Sequence, residues 1–143
     1  MGVRELTVEA KTENLSQVLA FLEQRLEELD CPMKAQMQVE MALEDMFVNV
    51  ASYAYKRDPS AVYPSELVTI HVEDTEDPRS VAVTLTDCGM PFDPLKQEEP
   101  DITLSAQERQ IGGLGIFLVR KSMDHVEYEH KDGKNILTFR KNL

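Results

Sequence analysis

Apolar and polar residues alternate through residues 4–10 (RELTVEA), the period of two that marks a half-buried strand. The period then lengthens. Leu15, Val18, Leu19, Leu22, Leu26 and Leu29 recur at helical spacing behind a capping stretch at Thr12 to Asn14, which predicts a first helix. Cys31-Pro32 breaks the chain, and a longer helix is predicted from about Met33 to Ala54, with Val39, Leu43, Met46, Phe47 and Val50 on its apolar side. A loop over 57–65 carries Pro59 and Pro64. Two strands follow, Leu67 to Glu73 and Val81 to Asp87, with a turn at Asp77-Pro78 between them. Residues 93–111 are polar and interrupted by Pro94 and Pro100, a long loop of the kind that closes over a ligand. A third helix at about 114–124 leads into a hairpin, Val126 to His130 and Asn135 to Arg140, joined by Lys131-Asp132-Gly133-Lys134.

This order predicts an α+β fold, a two-layer sandwich in which helices cover one face of a mixed, mostly antiparallel sheet. With no repeat and no second apolar block, the 143 residues read as one domain. A formal net charge of −11 argues against nucleic acid and anionic membrane as partners, since both need a basic face. It leaves room for a protein partner with a basic patch. No apolar run is long enough to span a bilayer and no leader pattern opens the sequence. Cys31 and Cys88 have neither metal nor CxxC spacing, and read as small buried residues in a reducing cytoplasm.

Chemistry concentrates in two stretches. In Gly112-Gly113-Leu114-Gly115-Ile116-Phe117-Leu118-Val119-Arg120, three glycines run directly into a helical pattern. Such a helix start offers unpaired N–H groups and a positive dipole end, and glycine lets the backbone approach an anion closely. Upstream, Asp87-Cys88-Gly89-Met90-Pro91 ends an apolar strand with a carboxylate and a turn. A carboxylate there suits an exocyclic amine such as adenine's, although Asp also starts ordinary turns. On the second helix, Asp45 and Asn49 lie one turn apart on one face, away from Leu43, Phe47 and Val50. An acid and an amide so placed suit a hydrated Mg²⁺ and an activated nucleophile. The same spacing also suits a solvated helix face, and Glu40 and Glu44 nearby show that acids are common here. There is no P-loop and no dinucleotide-binding fingerprint.

The second helix (QVEMALEDMFVNVASYAY), DCGMPFDP, GGLGIFLVRKSMDHVEYEHKDGKN and ILTFRK, in this order, resemble the ATP-site boxes of the GHKL (Bergerat-fold) superfamily. They are most similar to its single-domain branch, the bacterial anti-sigma factor serine/threonine kinases, over nearly the whole chain. The resemblance implies that Asn49 binds Mg²⁺, that Asp87 reads the adenine amino group and that Gly89 lets the base approach. It implies that Gly113, Leu114 and Gly115 receive the phosphates of ATP, and that Thr138 shares an adenine-bound water with Asp87. The family's general base is usually a glutamate at the position of Asp45. Asp45 has the right direction for that base but is one methylene shorter. The adjacent Glu44 points roughly 140° round the helix from Asn49 at about 100° per residue, and serves as the base only if the helix is locally distorted.

The activity implied is phosphorylation of a STAS-type antagonist, with sequestration of a sigma factor by a homodimer. The shorter carboxylate keeps a second reading open, a nucleotide-gated binding module without efficient transfer. A detached histidine-kinase ATP-binding domain fits less well, because no phosphoacceptor helix is present. His71 falls in a strand, while His125 and His130 fall near a hairpin.

Overall fold

The computed structural model describes residues 3–55, 63, 65–76, 79–91 and 119–143. β1 (Val3–Glu9) leads through a tight helical turn, Thr12–Asn14, into α1 (Leu15–Glu28). α2 (Met33–Asn49) follows, and Val50–Ala54 continue it as a wider π-helical turn. β2 (Leu67–Thr75), β3 (Ser80–Asp87), β4 (His125–Lys131) and β5 (Lys134–Asn142) complete the sheet. The strand order is β1-β2-β3-β5-β4, and every pairing among the described strands is antiparallel.

The register sorts the side chains. Val68, Ile70 and Val72 of β2, Val83 and Leu85 of β3, and Leu137 and Phe139 of β5 share one face. All are buried, against Val18, Leu22 and Leu26 of α1 and Val39, Leu43, Met46 and Phe47 of α2. This is the period-two face of a sheet packed on period-3.6 helix stripes. The opposite face carries Thr7, Thr69, Thr84 and Thr138, whose hydroxyls pair across strands at 2.9 Å (Thr7–Thr69) and 3.0 Å (Thr84–Thr138).

Local chemistry explains the boundaries. α1 ends where Asp30 turns into the left-handed region at φ 51°. There the Cys31 N–H returns to the Leu26 carbonyl and the Asp30 N–H to that of Glu27, the paired closure of a Schellman end. Pro32 then precedes the first turn of α2, where its missing N–H costs nothing. The hairpin turns on Asp132 and Gly133, both at positive φ (53° and 75°), the two-residue geometry that matches strand twist. Arg25 of α1 meets Asp74 of β2 at 2.6 Å, which ties helix to sheet at a largely buried pair.

The helix predicted over 33–54 changes pitch after Asn49, and the sheet is wholly antiparallel in its described part. Cys88 is exposed and Cys31 half-buried, so the expectation that both are buried is not met. Strand alternation explains Cys88, which turns outward because its neighbour Asp87 turns in. Among the described residues no helix is long and apolar enough to cross a membrane.

Candidate functional site

Asp87 ends β3 on the core-facing side of the sheet and is 5% exposed. A buried carboxylate needs hydrogen bonds to offset its lost hydration. The Gly89 N–H donates to its Oδ1 at 2.8 Å, which closes the Asp87–Gly89 turn. The second donor to Oδ1 is the Nδ2 of Asn135, at 2.9 Å, from the rung directly opposite on β5. Asn135 is itself buried, and its Nδ2 also meets the carbonyls of Gly89 (3.3 Å) and Met90 (3.0 Å). The Tyr128 hydroxyl, from β4, donates to its Oδ1. One amide thus braces the carboxylate and both backbone carbonyls of the turn.

The other side of this turn rests on the end of α2. The Met90 N–H donates to the Ala54 carbonyl at 3.0 Å. The Tyr55 hydroxyl accepts from the Cys88 N–H at 2.9 Å and donates to the Leu67 carbonyl at 2.6 Å. Burial pushes the Tyr55 phenol up to about 12, so it stays protonated and keeps both bonds. A Cβ on Gly89 would lie 2.2 Å from the Ala54 oxygen and 2.9 Å from its Cβ. Glycine is required here by the packing of the turn against α2 itself. The π-helical turn is what carries Ala54 and Tyr55 to these contacts, and such insertions recur at functional sites.

Asp45 and Asn49 lie upstream on the same helix, both half-buried, one regular turn apart. Burial, with Glu44 adding to it, raises the Asp45 carboxyl above the usual aspartate range. Glu44 is exposed, and because the helix stays regular through Asn49 no distortion brings it round to that residue. Beside Asp45 lies a cleft of about 230 Å³, lined by Gln38, Met41 and Ala42 of α2 and by Val119, Lys121 and Ser122 opposite.

Gly113, Leu114 and Gly115 lie outside the described residues, as does the lid expected at 93–111. Thr138 is separated from Asp87. It lies three rungs along β5 from the Asp87–Asn135 rung, about 10 Å at ~3.4 Å per residue, and on the opposite face of the sheet. Its hydroxyl pairs with Thr84. A water shared with Asp87 is out of its reach, and the side chain that does meet Asp87 from β5 is Asn135. Sequence reasoning missed Asn135, Tyr128 and Tyr55. The usable signal for Asn135 was its place at the start of the last strand, where an antiparallel partner faces the end of β3.

Among the described residues, no three acidic, histidine or cysteine side chains cluster to hold a metal alone. Asp45 and Asn49 suit a Mg²⁺ that keeps most of its ligands from water and phosphate, which is its usual habit.

A family description, histidine kinase-like ATPase domain, matches residues 8–141, and the chain belongs to that family. The serine/threonine-protein kinase BtrW of Bordetella bronchiseptica is 28% identical over 98 residues. That match spans 68% of this chain and 64% of the relative, so under two thirds of BtrW is represented. The RsbU and RsbW domains of Rv1364c from Mycobacterium tuberculosis share the fold with a TM-score of 0.71 at 15% identity, over 100% of this chain and 33% of that one. The SiaB–SiaC complex from Pseudomonas aeruginosa contains the fold as well. There the TM-score is 0.59 at 14% identity, over 98% of this chain and 89% of that one.

Proposed function

We propose that the chain is an ATP-dependent serine/threonine protein kinase of the anti-sigma type. The observation that carries this reading is the continuity of one helix. α2 bears Asp45 and Asn49, and through its π-helical turn it clamps the loop that bears Asp87. An acid for the acceptor hydroxyl and an acid for the adenine base are thereby tied to the same helix.

In this reading Asp87 accepts from the adenine amino group, and Asn135 and the Gly89 N–H hold its carboxylate in orientation. Gly113, Leu114 and Gly115 receive the phosphates. Asn49 holds Mg²⁺, which when bound neutralises charge on the phosphate oxygens. Asp45 takes the proton of a serine or threonine hydroxyl. That oxygen bonds to the γ-phosphorus as the bond to the β-phosphate oxygen breaks, and ADP leaves. Little covalent help is needed from the protein, and positioning with charge neutralisation supplies most of the acceleration. A raised carboxyl suits the work, since a base is most effective with its pKa moved towards working pH.

The proposed acceptor is a STAS-type antagonist, and a sigma factor sequestered by a homodimer is the proposed regulatory target. The relation to BtrW, itself a serine/threonine-protein kinase, supports the reaction class. The test is intact mass of a STAS-domain protein after incubation with the chain and Mg-ATP. A gain of one phosphate, lost in Asn49→Ala, supports the kinase. ATP binding without transfer favours the nucleotide-gated module instead.

A further inference from the structure

Met33, Met37 and Met41 occupy successive fourth positions on α2 and are 70%, 55% and 53% exposed. The same interval reaches Asp45 and then Asn49. Each step of four turns about 40° further round the helix and rises about 6 Å. The stripe therefore winds from the start of α2 into its candidate catalytic face. Met41 and Asp45 both line the cleft against Val119, Lys121 and Ser122, so the apolar track ends in a recess beside the carboxylate. None of the three methionines serves the core, which α2 fills with Val39, Leu43, Met46 and Phe47.

We propose that this stripe and its cleft are the docking surface for the phosphoacceptor protein. The partner lays an apolar ridge along Met33, Met37 and Met41 and so delivers a serine or threonine hydroxyl to Asp45. The proposal rests on the kinase reading above and names the surface through which that reaction takes its substrate. The occupant follows from size and direction. Three methionines offer a few hundred Å², a scale typical of functional patches but short of the roughly 800 Å² per partner of a stable dimer. A transient partner fits that area, and methionine's flexible, polarisable side chain suits repeated docking and release. From Met33 to Asp45 the helix rises about 18 Å, a little over three helical turns, so one helix or strand of the acceptor spans it.

The test uses the full chain, a STAS-domain acceptor, and the variants Met33→Glu, Met37→Glu and Met37→Leu. Met37→Glu is expected to weaken acceptor binding at least tenfold and raise the acceptor KM. ATP affinity and thermal stability should be unchanged, and Met37→Leu should retain binding. Acceptor affinity that is unchanged in the Met33→Glu, Met37→Glu double variant overturns the proposal. So does a wild-type chain that fails to bind the acceptor. A dimer that dissociates in the glutamate variants while acceptor binding persists also overturns it, and assigns the stripe to a second copy. Acceptor binding is measured with and without nucleotide. Failure of the wild type to bind ATP would thus fall on the kinase reading, while the nucleotide-free affinities still judge the stripe.

Discussion

Asn135 faces Asp87 across the β3–β5 pairing and donates to its carboxylate at 2.9 Å, while the same amide nitrogen holds the carbonyls of Gly89 and Met90. The orientation of the Asp87 carboxylate thus depends on a neutral amide donor. Asn135→Asp keeps the shape, but sets a carboxylate against a carboxylate and two carbonyls. We expect it to cost about 1–3 kcal/mol, the range for a buried group left without its partner, and to weaken ATP binding at least tenfold by calorimetry. Thr138→Val, on the other face of the sheet, should leave ATP affinity unchanged.

Gly89→Ala forces a methyl to within 2.2 Å of the Ala54 carbonyl oxygen. Backbone cannot yield as a flexible side chain would, so either the turn lifts from α2 or the fold absorbs about 1–3 kcal/mol, the usual range for overpacking. The expected outcome is a lower Tm together with weaker ATP binding.

Tyr55→Phe removes one oxygen that serves both the Cys88 N–H and the Leu67 carbonyl. Two backbone groups lose their partner, at a cost of about 1–3 kcal/mol in denaturant unfolding. With the phenol pushed up to about 12, the wild-type contribution should stay constant across the neutral range and fade only as pH rises towards that value.

Some of this architecture was legible in the chain and some was not. The periods of two and 3.6 located the described strands and helices, and the Asp-Cys-Gly stretch was singled out, as was the glycine-rich stretch that lies outside the described residues. Register was the first limit. The ILTFRK pattern does not state where the strand meets Asp87, and the hydroxyl of Thr138 looked suitable until pairing placed Asn135, just before that run, opposite it. Pitch was the second. The apolar pattern runs unbroken through Val50, so the π-helical turn that lets Tyr55 reach Cys88 leaves no mark in periodicity. Gly89 was expected to make room for a ligand, whereas the fold requires it for the approach of Ala54.

Asp45 should be visible in pH dependence. Its carboxyl is raised by burial and by Glu44, so it ionises above the usual aspartate range and transfer should climb through that raised value before levelling off. The stability effect has the opposite sense. A folded-state pKa above the unfolded one contributes stability at low pH that is lost as pH rises through the folded value. Asp45→Asn should therefore raise Tm at neutral pH while it sharply slows transfer.

Single-turnover phosphoryl transfer by wild type, Asp45→Asn and Asp45→Glu, with ATP affinity measured alongside, tests the account most directly. The expected result is a loss of about 10²–10⁴ in transfer for Asp45→Asn, the range for a general base, with ATP binding retained and transfer kept or increased in Asp45→Glu. Transfer by Asp45→Asn at the wild-type rate would contradict the account.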